Sequence, residues 1–136
     1  MQRREGSRKL MKEILTDSKP NPQKLIKGFG FAFNGLKIVF SSEQNFRIHL
    51  VAATLAVITG IFVHLSEIEW CIIVTSIFLV FAMEIMNTAI EKLVDLVSPG
   101  FHRQAGIVKD ISAAAVLVTA MAAVITGLII FLPKLT

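Results

Sequence analysis

The sequence predicts an all-α integral membrane protein, with three transmembrane helices behind an N-terminal amphipathic interfacial helix. Three observations carry this. Of 136 residues, 54% are hydrophobic and mean hydropathy is +0.67, above the range of ordinary globular domains. Apolar segments at about 48–65, 70–90 and 111–132 each approach the ~20 residues that a helix needs to cross the hydrocarbon core. The third holds no charge and has no polar face to offer water, which argues against a soluble bundle of buried helices.

Taken in order, residues 1–20 read as a polar cytoplasmic tail with room for a helical turn over 8–15, followed by one domain over 21–136. The tail lacks the apolar core and cleavage site of a secretory signal, and Arg3-Arg4 lacks the apolar run of a twin-arginine signal. Asn21-Pro22 breaks the chain, and proline suits the first turn of a new helix. Over 23–40, apolar Leu25, Ile26, Phe29, Phe33 and Leu36 mix with Lys24, Lys27 and Lys37, the pattern of a helix lying at headgroup level. Ser41-Ser42-Glu43 stands where it can cap the first span, with Glu43 in the first turn. Ser98-Pro99-Gly100 stops the extension of the second span, and 101–106 is a loop. Asp110 opens the third span, where a purely structural carboxylate would stabilise the helix N-terminus. Ala113-Ala114-Ala115, Ala120, Ala122-Ala123 and Gly127 then favour close helix packing in lipid.

Charge sets the orientation. Ten of the fourteen Lys and Arg lie at or before residue 47, and Lys92, Arg103 and Lys109 lie between the second and third spans. The connection Ser66-Glu67-Ile68-Glu69 has none. The positive-inside rule places the N-terminus and the 91–110 connection in the cytoplasm, and the acidic connection and C-terminus outside, with Lys134 dissenting. Membrane orientation accounts for the net charge of +4, so nucleic acid is not expected as a partner. The single Cys71 forms no intrachain disulfide and reads as a small apolar residue.

The chemistry concentrates in Glu84-x-x-Asn87-x-x-x-Glu91-x-x-x-Asp95. Steps of three and four put these side chains on one helical face. Residues 70–83 carry no charge before Glu84 appears. A carboxylate near hydrocarbon depth costs at least ~2.5–3.5 kcal/mol on insertion scales, which marks it as functional. At that depth Glu84 is placed to take a proton from a hydroxyl group of a lipid, the work of a general base. Glu43 and Glu91, from two helices, suit a hard cation such as Mg²⁺, which wants one or two carboxylates plus substrate phosphates and water. Lys109 suits a phosphate. The Walker-type glycine loop is absent, and His49, His64 and His102 form no zinc-like cluster. Residue physics leaves three readings open: an enzyme, a proton- or cation-coupled transporter relaying through Glu84, and a structural oligomer whose carboxylates pair with Lys92 and Lys109.

Glu84-Ile85-Met86-Asn87-Thr88-Ala89-Ile90-Glu91, Val94-Asp95, His102, Lys109-Asp110, Ala113-Ala114-Ala115-Val116, and upstream Gly35-Leu36 and Glu43-x-x-Phe46-Arg47 resemble the prokaryotic diacylglycerol kinase family. These small integral-membrane lipid kinases include the undecaprenol kinases. The resemblance covers roughly 22–133. It implies a homotrimer with active sites shared between neighbouring subunits, and transfer of the ATP γ-phosphate to a lipid alcohol with Mg²⁺. By matching positions, Glu84 would be the general base, and Glu43 and Glu91 would hold the metal and its nucleotide. Asn87 would support them, while Lys24, His102, Lys109 and Asp110 would belong to the ATP set. Asp95 and Arg47 would be supporting residues. Three positions depart from the diacylglycerol-preferring branch: Ala32 replaces a frequent serine, His49 a carboxylate and Lys24 an arginine. Asn45-Phe46-x-Ile48-His49, Glu69-Trp70 and Phe131-Leu132-Pro133-Lys134-Leu135 look more like the Gram-positive undecaprenol kinases. The expected substrate is therefore undecaprenol, giving undecaprenyl phosphate, with diacylglycerol as the alternative.

Overall fold

A computed structural model of the chain describes Gly6 and residues 22–135, so the expected 1–20 tail and its helical turn otherwise lie outside the described residues. Among the described residues from 22 onward, all secondary structure is helical: α1, Pro22–Ser42; α2, Gln44–Phe62; α3, Glu67–Val97; α4, Arg103–Leu135. Two units are distinguished, one ending at Gly35 and one beginning at Leu36, with α1 crossing the boundary. In the first unit, α1 begins at Pro22, whose missing N–H is no loss in a first turn. Its Leu25, Ile26, Phe29 and Phe33 are exposed.

In the second unit, α3 and α4 pack as an antiparallel hairpin. Three pairs fix the register: Lys109 with Asp95, Ser112 with Asn87, and Lys134 with Glu69. α2 lies against α3, where the rings of Phe46 and Phe81 stand 5.2 Å apart. α2, α3 and α4 are each long and apolar enough to cross a membrane, and little of each is buried within one chain. The charge on Lys134 has a local partner, because its Nζ lies 3.1 Å from Glu69 at the opposite end of the hairpin from the acidic stripe.

Helix boundaries depart from expectation in four places, each for a local reason. α2 ends at Phe62, short of residue 65, because His64 takes the left-handed conformation at φ 52°. The Leu65 N–H bonds to the Gly60 carbonyl (3.1 Å) and the His64 N–H to that of Ile61 (3.3 Å), the double closure of a Schellman end. Glycine is needed at 60, since a Cβ there would sit 2.9 Å from both Leu65 and Trp70 side chains. Ser66 then opens α3 in a capping box with Glu69.

At the other end, Glu43 is not in the first turn of α2 but precedes it, at φ −102°, ψ 117°, with no side-chain capping bond. The expected loop over 101–106 is shorter, because Arg103 already begins α4 and the Gly106 N–H bonds to the His102 carbonyl at 3.2 Å. Asp110 therefore lies two turns inside α4 and does not serve its N-terminus, where a dipole effect is confined to the first turn.

Candidate active site

The acidic stripe of α3 runs from burial to water. Glu84 is 1% exposed and Asn87 is buried; Glu91 is half-buried and Asp95 exposed. The helical repeat sets this gradient, since each step of three or four residues advances one turn along a single face.

Glu84 Oε2 is buried without a hydrogen-bond partner. Most buried polar atoms are paired, and an orphan costs about 1–3 kcal/mol, so its survival in a packed interior points to a task outside packing. Thr88 Oγ1 donates to the Glu84 backbone carbonyl at 2.9 Å and leaves the carboxyl free. The charges of Glu43 and Glu91 both act on Glu84. Glu43, from the α1–α2 junction, and Glu91, two turns along α3, are thus near enough to Glu84 for their charges to bear on it.

Each flanking carboxylate is held. The Glu43 N–H bonds to the Val39 carbonyl at 2.9 Å, and Ser42 Oγ donates to Glu43 Oε1 at 2.7 Å. Because the Glu43 side chain caps nothing, it remains available to a ligand. Glu91 Oε1 accepts from Asn87 Nδ2 at 2.9 Å, and Asn87 Oδ1 accepts from Ser112 Oγ at 2.6 Å. Lys109, on the facing turn of α4, pairs with Asp95 and also feels the Glu91 charge.

The remaining expected residues are described by their own surroundings. Arg47 is exposed and reaches the Ser41 carbonyl through Nη1 at 3.4 Å. Asp110 is exposed beside Lys109 on α4. His102 is exposed in the connection before α4. Lys24 belongs to the separate N-terminal unit and is also exposed.

Among the described residues, no three His, Cys, Asp or Glu side chains gather into a metal-holding group. This fits a hard cation held by one or two carboxylates with the other positions left to phosphate and water. The chemistry of the donor set, all oxygen, fits Mg²⁺ in the same way.

An apolar cleft of about 490 Å³ is lined from α2, α3 and α4 by residues including Ala52, Ala56, Ile77, Val80, Phe81 and Gly127. Val80 and Phe81, which line the cleft, lie one turn before Glu84 on α3. The small side chains of α2 and α4 are what leave this space.

Two residues of the site escaped the sequence reading. Thr88 is buried beside Glu84, and Ser112 is buried against Asn87. Ser112 did carry a signal: it sits one helical turn after Lys109, the first polar side chain of the apolar run that begins at Ile111.

The family description "Prokaryotic diacylglycerol kinase" matches residues 30–131. The chain is 43% identical over 122 residues to an undecaprenol kinase of Bacillus subtilis, covering 88% of this chain and 99% of that one. It is 35% identical over 131 residues to a diacylglycerol kinase of Synechocystis, covering 96% and 73% of the two chains. It is 36% identical over 107 residues to a diacylglycerol kinase of Escherichia coli K12, covering 79% and 88%. These similarities displace the transporter and structural-oligomer readings and bear out the resemblance seen in the motifs. The chain belongs to the prokaryotic diacylglycerol kinase family and is a lipid kinase.

Proposed function

We propose that this lipid kinase transfers the γ-phosphate of ATP to the hydroxyl of undecaprenol, giving undecaprenyl phosphate. The observation that carries the reading is Glu84: a buried carboxylate with an unpartnered Oε2, one turn along α3 from the Val80 and Phe81 that line an apolar cleft. A lipid alcohol lying in the cleft would bring its hydroxyl to that oxygen. The hydroxyl oxygen forms the new bond to the γ-phosphorus as the bond to the β-phosphate bridging oxygen breaks. Its proton passes to Glu84, and ADP departs.

Glu43 and Glu91 would hold Mg²⁺ with the nucleotide, and the cation when bound would neutralise phosphate charge. Asn87 keeps Glu91 in place. Lys109 would exchange Asp95 for a phosphate, with Lys24, His102 and Asp110 completing the nucleotide set and Arg47 supporting the Glu43 junction. The protein would lie in the bacterial plasma membrane with the N-terminus cytoplasmic and the C-terminus outside, as the distribution of Lys and Arg favours. The extensive apolar surface that one chain leaves uncovered supports assembly with further copies, and we take the assembly to be a homotrimer.

The 43% identity to the Bacillus undecaprenol kinase favours a polyprenol, whereas similarity to two diacylglycerol kinases keeps diacylglycerol as the second substrate reading. Purified protein in mixed micelles, given ATP and Mg²⁺, should phosphorylate undecaprenol with the higher kcat/KM. A higher kcat/KM on diacylglycerol would overturn the assignment.

A further inference from the structure

Ser112 joins α4 to the acidic stripe through a three-membered chain. Its Oγ donates to Asn87 Oδ1 at 2.6 Å, and Asn87 Nδ2 donates to Glu91 Oε1 at 2.9 Å. Ser112 and Asn87 are both buried, and 25 positions separate them in sequence. We propose that Ser112 is a positioning residue: it sets the orientation of the Asn87 amide, and through it the Glu91 carboxylate that receives the nucleotide. This rests on the reading of Glu91 as part of the nucleotide site.

The argument is one of donors and acceptors. An amide side chain has an NH₂ end and a carbonyl end of nearly equal shape, so packing alone does not choose between them. With Nδ2 toward Glu91, a donor meets a charged acceptor, the stronger kind of hydrogen bond. Turned over, Oδ1 would face the carboxylate, acceptor against acceptor. The correct orientation leaves Oδ1 pointing at α4, in a buried place, where it needs a donor of its own. Ser112 supplies it.

The choice is not automatic, because a hydroxyl has one hydrogen. The Lys109 carbonyl, 2.8 Å from Ser112 Oγ, is a competing acceptor one turn back on the same helix. With the hydrogen on Lys109, the oxygen of Ser112 would favour the reversed amide. With the hydrogen on Asn87, the chain Ser112–Asn87–Glu91 runs donor to acceptor throughout. The shorter distance goes to Asn87, and a buried chain of this kind strengthens each of its members. Ser112 thereby also ties the turn that carries Lys109 to the turn that carries Asn87, the two sides of the nucleotide site.

The test uses the full chain in detergent–lipid micelles, with affinity for the Mg²⁺ complex of a non-hydrolysable ATP analogue as the first readout. Ser112→Ala should weaken that affinity about three- to tenfold, the worth of one buried hydrogen bond. KM for ATP should rise in step, with kcat and the lipid KM nearly unchanged. Ser112→Thr, which keeps the hydroxyl, should restore affinity. Ser112→Cys, close in shape but a poor donor, should fall between them and carries the test if the alanine variant does not fold. In an Asn87→Ala background, Ser112→Ala should cost nothing further. Weakened thermal stability with unchanged nucleotide affinity would overturn the proposal, as would an equal loss in the Asn87→Ala background. If Asn87→Ala weakens affinity and Ser112→Ala does not, Ser112 alone is excluded. If Asn87→Ala has no effect, the underlying reading of Asn87 and Glu91 fails, and the role of Ser112 with it.

Discussion

Lys109 of α4 and Asp95 of α3 form a direct ammonium–carboxylate pair, at the water-facing end of the stripe that begins with buried Glu84. The pair closes the α3–α4 hairpin at its short connection. It also occupies the lysine proposed above to meet a phosphate. Asp95 is largely exposed, and exposed pairs are worth about 0–1 kcal/mol, so a dianionic or trianionic phosphate can take the lysine from it. Lys109→Ala should therefore reduce Mg-ATP affinity severely, whereas Asp95→Asn should change it by no more than about fivefold, the size of an exposed pair. Equilibrium nucleotide titration of both variants checks this; equal losses would show that Asp95 does more than rest the lysine.

Glu84→Gln should abolish phosphoryl transfer and leave folding and ATP binding nearly intact. The substitution keeps the shape of a fully buried side chain and removes only its ability to take a proton. Turnover above a few per cent of the wild-type rate would exclude Glu84 as the base.

Glu43 and Glu91 should act together. Removing either carboxylate should weaken Mg-ATP binding, because one carboxylate with water neutralises and orients the metal–phosphate group less well than two. The double variant should lose less than the sum of the singles, since both residues serve one site. Unchanged apparent Mg-ATP affinity across the three variants would refute the assignment.

Activity should be recoverable by mixing inactive subunits if Glu43 and the Glu84–Glu91 face of neighbouring copies combine in the proposed homotrimer. A Glu84→Gln preparation and a Glu43→Ala preparation, dissociated and reassembled together, should regain part of the wild-type rate. Some mixed trimers would carry one interface with both carboxylates intact. Mixed trimers of demonstrated composition without any activity would place the complete site within one chain, consistent with the Glu43 and Glu91 charges that reach Glu84 inside a single protomer.

The sequence by itself determined the class of the protein and the line of its chemistry. Apolar length dictated three long helices, because a chain in lipid must satisfy its backbone within each segment. The steps from Glu84 to Asn87, Glu91 and Asp95 follow from the pitch of any α-helix, so their shared face needed no coordinates. The octapeptide Glu84–Glu91 with Lys109-Asp110 was distinctive enough to point to the kinase family. Tertiary structure decided what depends on the meeting of helices far apart in the chain. It left Glu84 Oε2 without a partner, gave Lys109 to Asp95 and Lys134 to Glu69, and removed Asp110 from the helix N-terminus. It also placed Ser112 against Asn87, a contact no periodicity on α3 or α4 alone contains. Helical pitch is a local property that residue spacing encodes, whereas the register between two helices arises from packing along their whole length and becomes readable only once they are together.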